Sequence, residues 1–170
     1  MGAGRAAAAP LVLRPAVAAD IDFIVATERL PGFEQLTARW SADQHRAAMD
    51  RADTRYLVGG WAAAPLAGFA LLQPLDDVHE GAKLRRIAVT RPGEGFGRPF
   101  LNAVIDWVFE STASDRLWLD VFTHNGRARH VYRSLGFRED GLLRQAYRMS
   151  DGTRADRVIM SMLRSERPGR

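Results

Sequence analysis

Between Arg86 and Gly97 the chain reads RIAVTRPGEGFG: a short apolar run, then a glycine-dense loop, with an amphipathic run close behind. No other stretch restricts the fold as much. Arg86-Ile87-Ala88-Val89 has the branching of a buried strand, and Arg91-Pro92-Gly93 stops it. Gly93, Gly95 and Gly97 then alternate ahead of a helical pattern starting near Phe100. Alternating glycines admit backbone conformations closed to other residues, and the first turn of a helix carries N–H groups with no partner inside it. Together they make a seat for an anion. The competing reading is a tight strand-to-helix turn that binds nothing. Spacing excludes two familiar phosphate loops. A P-loop needs Gly-Lys-Ser/Thr where this chain has Gly97-Arg98-Pro99, and a G-x-G-x-x-G fingerprint counted from Gly93 would need its third glycine at Arg98.

With 170 residues and 46% hydrophobic composition, the chain has the size and core content of one domain. Residues 1–10 read as a loose leader and 165–170 as a basic tail. The formal charge of +4 comes almost wholly from arginine, with Lys83 the one lysine, and the arginines are scattered rather than clustered. Scattered charge argues against a nucleic-acid partner. Arg14 and Pro15 interrupt the early apolar run, and no stretch reaches the length of a membrane span, which points to a cytoplasmic protein without a membrane partner. The absence of cysteine removes disulfides, thiolate nucleophiles and cysteine metal sites. His45, His79, His124 and His130 lack metal-ligand spacing, so no metal is expected.

Periodicity supplies the remaining elements. Leu11–Arg14 suits a first strand, and Asp20 precedes a helix that Leu30-Pro31-Gly32 breaks. Ser41 and Gln44 fit a capping box for a second helix ending near Asp53. Tyr56–Val58 and Leu66–Leu72 read as a hairpin turning through Gly59-Gly60-Trp61 and Ala64-Pro65. Arg116–Phe122 alternates as a strand with Asp120 as its odd member. Asn125 caps a helix bearing Ala128, Val131, Tyr132 and Leu135, which Gly136 ends. Gly141–Met149 and Arg157–Leu163 form a last hairpin around Asp151-Gly152.

The order and spacing of RIAVTRPGEGFGRPFL, LWLDVFTHNGRARHVYRSLGF and GLLRQAYRMSDGTRADRVIMSML resemble the GCN5-related N-acetyltransferase superfamily, in the branch holding ribosomal-protein N-terminal and small-amine acetyltransferases. The resemblance implies an α/β fold: a mixed central sheet of about seven strands, a splayed parallel pair in its middle, and helices on both faces. It also implies acetyl-CoA as co-substrate. The pyrophosphate would sit on the N–H groups of Gly93, Glu94, Gly95, Phe96, Gly97 and Arg98, the pantetheine arm along Ile87, Ala88 and Val89, with Asn125 beside it. Pro92 departs from the family pattern, where a glutamine or arginine usually stands, and should cost one backbone contact.

Moving an acetyl group from a thioester to an amine requires a neutral amine, a stabilised oxyanion and a proton for the thiolate. Without cysteine, direct attack in a ternary complex is the simplest route, with an N–H near Val89 facing the oxyanion. The resemblance makes Tyr132 the acid, seven residues after Asn125, and Asp120 the first candidate for the base, with Glu80 in reserve. A structural carboxylate paired with Arg85, Arg86 or a helix arginine is the alternative for Asp120. His79 and His124 are secondary proton carriers. Residues 29–40 and the Asp151-Gly152 hairpin are expected to wall the groove, with Glu28 and Glu34 placed to attract a cationic amine. The acceptor is a small-molecule amine or a peptide N-terminus. A protein N-terminal or lysine acetyltransferase and a non-catalytic acyl-CoA sensor are the alternatives, and a homodimer through the last strands is compatible with either.

Overall fold

A computed structural model describes residues 9–33, 39–75, 77–79 and 81–167. Alternating apolar runs become the strands β1 (Leu11–Pro15), β2 (Arg55–Trp61), β3 (Gly68–Leu72), β4 (Ala82–Val89), β5 (Arg116–Phe122), β6 (Arg138–Arg148) and β7 (Arg154–Leu163). Helical periodicities become α1 (Ile21–Glu28), α2 (Ala42–Met49), α3 (Gly97–Ser111) and α4 (Gly126–Ser134). The strands form one sheet in the order β1-β2-β3-β4-β5-β7-β6. Every neighbouring pair is antiparallel except β4 and β5, which are parallel and joined by the α3 crossover.

Strand alternation sorts the core into two layers. Leu57, Ala70, Leu72 and Leu84 pack with Phe100, Leu101, Val104, Ile105 and Val108 of α3, and with Tyr132 of α4. Tyr56, Val58, Phe69, Leu71 and Ala88 pack on the opposite face with Ile24 of α1 and Ala48 of α2. The sheet is mixed, carries its parallel pair in the middle and has helices on both faces, as expected.

Two irregularities of β4 shape the site. Its ladder with β5 holds only Ala82 opposite Leu117 and Lys83 opposite Trp118, so from Leu84 and Leu119 onward the two strands diverge with facing edges unpaired. On the other side, Leu71 pairs with Arg86 and Leu72 with Leu84, which leaves Arg85 as the extra residue of a β-bulge. The bulge reverses the alternation. Leu84 faces the α3 layer, and after Arg85 it is Ile87 and Val89 that pack there while Ala88 faces α1 and α2.

Several boundaries differ from expectation. The second helix stops at Met49 rather than near Asp53, where Arg51 and Asp53 form an ion pair in the turn that follows. The last two strands begin earlier than Gly141 and Arg157. Gly59-Gly60-Trp61 belongs to β2 rather than to the turn, with Gly59 opposite Leu13 of β1. Glycine is required there by packing: a Cβ at Gly59 would stand 2.8 Å from the Val12 carbonyl oxygen and 3.1 Å from the Phe100 ring. Gly59→Ala is therefore expected to destabilise the fold by roughly 1–3 kcal/mol, as overpacking does. An unchanged denaturant midpoint would contradict this. No helix among the described residues is long and apolar enough to cross a membrane.

Candidate active site

The divergence of β4 and β5 opens a groove of about 620 Å³, within the range of small-molecule and cofactor sites. At one end lies the glycine loop. Gly93 and Gly95 hold φ of 99° and 86°, a left-handed backbone that side chains resist. A Cβ at Gly95 or Gly97 would meet nothing within 4 Å, so the start of α3 is open on that side. Arg98 and Arg127 both line this end, and the Arg127 guanidinium stands over Gly93. Unpaired first-turn N–H groups, the helix dipole and the Arg127 guanidinium converge on a cavity fit for phosphate oxygens, while Arg98 Nη2 donates to the Ser134 carbonyl at 3.2 Å. Asn125 caps α4 by accepting a hydrogen bond from the Ala128 N–H at 3.2 Å, and it lines the groove too.

Tyr132 lines the middle of the groove. Its ring packs on Phe137, and the hydroxyl makes no hydrogen bond to a described residue. Burial pushes its pKa up to about 12, while the charge of nearby Arg157 opposes that rise and Asp120 adds to it. The hydroxyl thus keeps its proton at neutral pH. Asp120 sits deeper, with Oδ1 2.9 Å from Lys83 Nζ and Oδ2 2.5 Å from Arg157 Nη1. Its ion-pair partners come from β4 and β7. The expected pairing with Arg85, Arg86 or a helix arginine does not form: Arg86 pairs with Glu28 instead, and Arg85 lines the groove beyond ion-pair distance of Asp120. The far end of the groove is formed by Pro31, Gly32, Phe33, Arg85, Arg86 and Arg157.

Of the residues expected to bind acetyl-CoA, Ile87, Ala88, Val89, Gly93, Gly95, Gly97, Arg98 and Asn125 line the groove. Glu94 does not. It is exposed and faces Arg91 at 3.6 Å. The Phe96 ring is buried in the core against Trp61 and Phe100, which leaves only its backbone to the loop. Glu80 and Glu34 lie outside the described residues, as does 34–38 of the expected wall. The opposite wall is made by α4 and Arg157, whereas the Asp151-Gly152 turn stays outside the lining. Neither His79 nor His124 lines the groove; His124 stacks on Phe122.

The model of the Acetyltransferase (GNAT) family matches residues 22–137, spanning α1 through α4 and the loop at Gly93. The chain belongs to that family. Among curated relatives, a spermidine N(1)-acetyltransferase of Vibrio cholerae is 29% identical over 117 residues, covering 68% of this chain and 65% of that protein. A [ribosomal protein bS18]-alanine N-acetyltransferase of Escherichia coli K12 is 37% identical over 99 residues, covering 57% of this chain and 64% of the relative. These alignments span just under two thirds of the relatives' length. Among solved structures, spermidine N-acetyltransferase from Vibrio cholerae in complex with CoA and spermine superposes with a TM-score of 0.80 at 25% identity, covering 92% of this chain and 96% of that one.

Beneath the far end of the GNAT groove lies a buried polar cluster that sequence reasoning missed. Glu28, 1% exposed, receives the Arg86 guanidinium at 2.5 Å and lies 3.2 Å from His45 Nε2. His45 Nδ1 is 2.8 Å from the Tyr56 hydroxyl, and the Trp40 N–H donates to Glu28 at 3.3 Å. The Trp40 ring covers the Arg86 guanidinium at 4.0 Å. Burial by itself would raise the Glu28 pKa, but the His45 hydrogen bond and the Arg86 charge outweigh it, and the net shift is downward. Glu28 is therefore neutralised inside the protein and does not face the groove as an attractor of cationic amines. The one available signal was its place at the end of α1, where a glutamate is exposed as readily as buried. Arg127 and Arg157, which line the groove, were also missed, since scattered arginines carry no spacing pattern.

Proposed function

We propose that this chain is an acetyl-CoA-dependent N-acetyltransferase that moves the acetyl group directly to a primary amine within a ternary complex. The observation that carries it is the continuity of one groove from the glycine-loop anion seat, past Tyr132, to an opening bounded by Phe33 and Arg157. Both reactants fit end to end, with the reacting atoms beside the tyrosine. Residues 1–170 act as one acetyltransferase unit, and a cytoplasmic setting suits the reaction.

The backbone of β4 beyond Leu84 has no strand partner on its β5 side, so alternate N–H and C=O groups are free to pair with the pantetheine amides. A free N–H near Val89 faces the carbonyl oxygen as it becomes an oxyanion. The amine nitrogen forms the new C–N bond, the C–S bond breaks, and the Tyr132 O–H gives its proton to the leaving sulfur. Asp120 has both oxygens engaged with cations, so an amine seeking a proton acceptor there would have to displace Lys83 or Arg157. Asp120 is thus a positioning residue that orders Arg157 beside Tyr132, and the amine proton leaves to water in the groove. Reprotonation of Tyr132 from the same water closes the cycle.

A peptide N-terminus is the second reading of the acceptor, favoured by the 37% identity to the bS18-alanine enzyme. The β6 edge of the sheet, with Leu142 and Leu143 exposed, supports a homodimer through the last strands.

Acetyl-CoA and CoA, each at about 100 times its dissociation constant, are expected to stabilise the protein by roughly 2.7 kcal/mol. For a chain of this size that is roughly 5–11 °C in melting temperature. NAD should produce no shift. Acetyl-CoA should then release free thiol only when an amine is added. Absence of a CoA shift would overturn the proposal, and a shift without turnover on any amine or peptide would leave an acyl-CoA sensor instead.

A further inference from the structure

We infer that the acceptor amine carries a carboxylate, which Arg85 receives at the far end of the groove. This rests on the acetyltransferase reading and narrows its substrate class. Arg85 is the extra residue of the β4 bulge, and bulges of this kind re-aim a side chain out of the regular alternation. Here the bulge turns an arginine into the groove, and among the described residues no carboxylate lies within ion-pair distance of it. Among the described residues it lies against the Trp40 ring at 5.3 Å, and the Asp120 charge acts on it from beyond ion-pair distance.

The surrounding charge points the same way. Among the described residues, Arg85, Arg86, Arg157 and Lys83 gather at this end against two carboxylates, Glu28 and Asp120, both of which are already paired. The buried Nε–H of Arg157 has no acceptor among the described residues. The neighbourhood is therefore short of acceptors, and a carboxylate would supply them, with a guanidinium offering two parallel N–H donors to its two oxygens. A surplus of positive charge also favours the neutral form of a bound amine, which is the form that attacks. A polyamine brought here would carry further cations into a site that repels them. The groove thus differs in charge from what spermidine demands, although the fold is shared with a spermidine enzyme.

A free amino acid and a peptide N-terminus followed by an acidic residue share this chemistry, and the test separates them. Thiol release from acetyl-CoA is measured with free amino acids against their carboxamides, with dipeptide amides carrying Asp against Asn at the second position, and with spermidine. The carboxylate member is expected to exceed its amide by roughly 10- to 100-fold in kcat/KM, the worth of a hydrogen bond to a charged group. Whichever arm shows the preference identifies the source. Arg85→Gln should collapse the ratio to about one and Arg85→Lys should retain most of it, with the CoA thermal shift of both variants unchanged to show an intact fold. Spermidine or the carboxamides matching the carboxylates, or a preference that survives Arg85→Gln, would overturn the inference while leaving the acetyltransferase reading standing. Loss of the wild-type CoA shift together with all turnover would remove both.

Discussion

Tyr132→Phe is expected to lower kcat by roughly 10²- to 10⁴-fold while leaving the CoA thermal shift and the fold unchanged. The substitution removes one oxygen and keeps the ring, which packs on Phe137 and closes the α3 layer. No internal hydrogen bond is lost, because the hydroxyl has no described partner. Burial holds the hydroxyl protonated up to about 12, so a loss of rate with retained binding has one source, the missing proton for the leaving sulfur. Acceptors should lose kcat rather than gain KM. Wild-type turnover in Tyr132→Phe would mean that water protonates the thiolate and that Tyr132 is only a core aromatic.

The largest effect on stability is expected from Glu28→Ala. Glu28 is the common acceptor for the buried Arg86 and His45 and for the half-buried Trp40 N–H. Deleting it removes the carboxylate paired with the buried Arg86 guanidinium, a loss of roughly 3–5 kcal/mol. The corresponding fall in melting temperature is roughly 6–20 °C. The effect is pH-dependent with a definite sign. The Glu28 pKa is lowered in the folded protein, so its contribution is complete above the ordinary glutamate value of about 4.3 and is lost as pH falls through the lower folded value. Wild type and Glu28→Ala should therefore converge in melting temperature as pH drops below that value. A gap that stays constant with pH would show that another group carries the linkage. Because the Trp40 N–H binds Glu28 at the end of the 29–40 segment, the variant should also weaken acceptor binding more than CoA binding.

The legible parts of this protein are those decided within a few residues. The strand, the left-handed glycines and the start of α3 follow from local backbone preference, and Ser41, Asn125 and Gly136 cap or end their helices as their side chains dictate. The seven-residue step from Asn125 to Tyr132 places both on the groove side of α4 because two helical turns return to the same face. Even the splayed parallel pair was foreseeable once the resemblance was drawn from those local patterns.

Tertiary structure alone decided the charges. Glu28 reads as an exposed helix-end carboxylate, yet it is buried against Arg86, 58 residues away in the chain. Asp120, expected beside Arg85, Arg86 or a helix arginine, pairs with Lys83 and Arg157 instead, the latter from β7. Arg85 owes its place in the groove to a register slip between β3 and β4, which no periodicity in β4 announces. Backbone preferences act over a helical turn or a strand, and so the elements and the glycine loop were legible from local pattern. An ion pair forms wherever two strands happen to bring charges together, so which carboxylates stay available for chemistry was settled only when the sheet assembled.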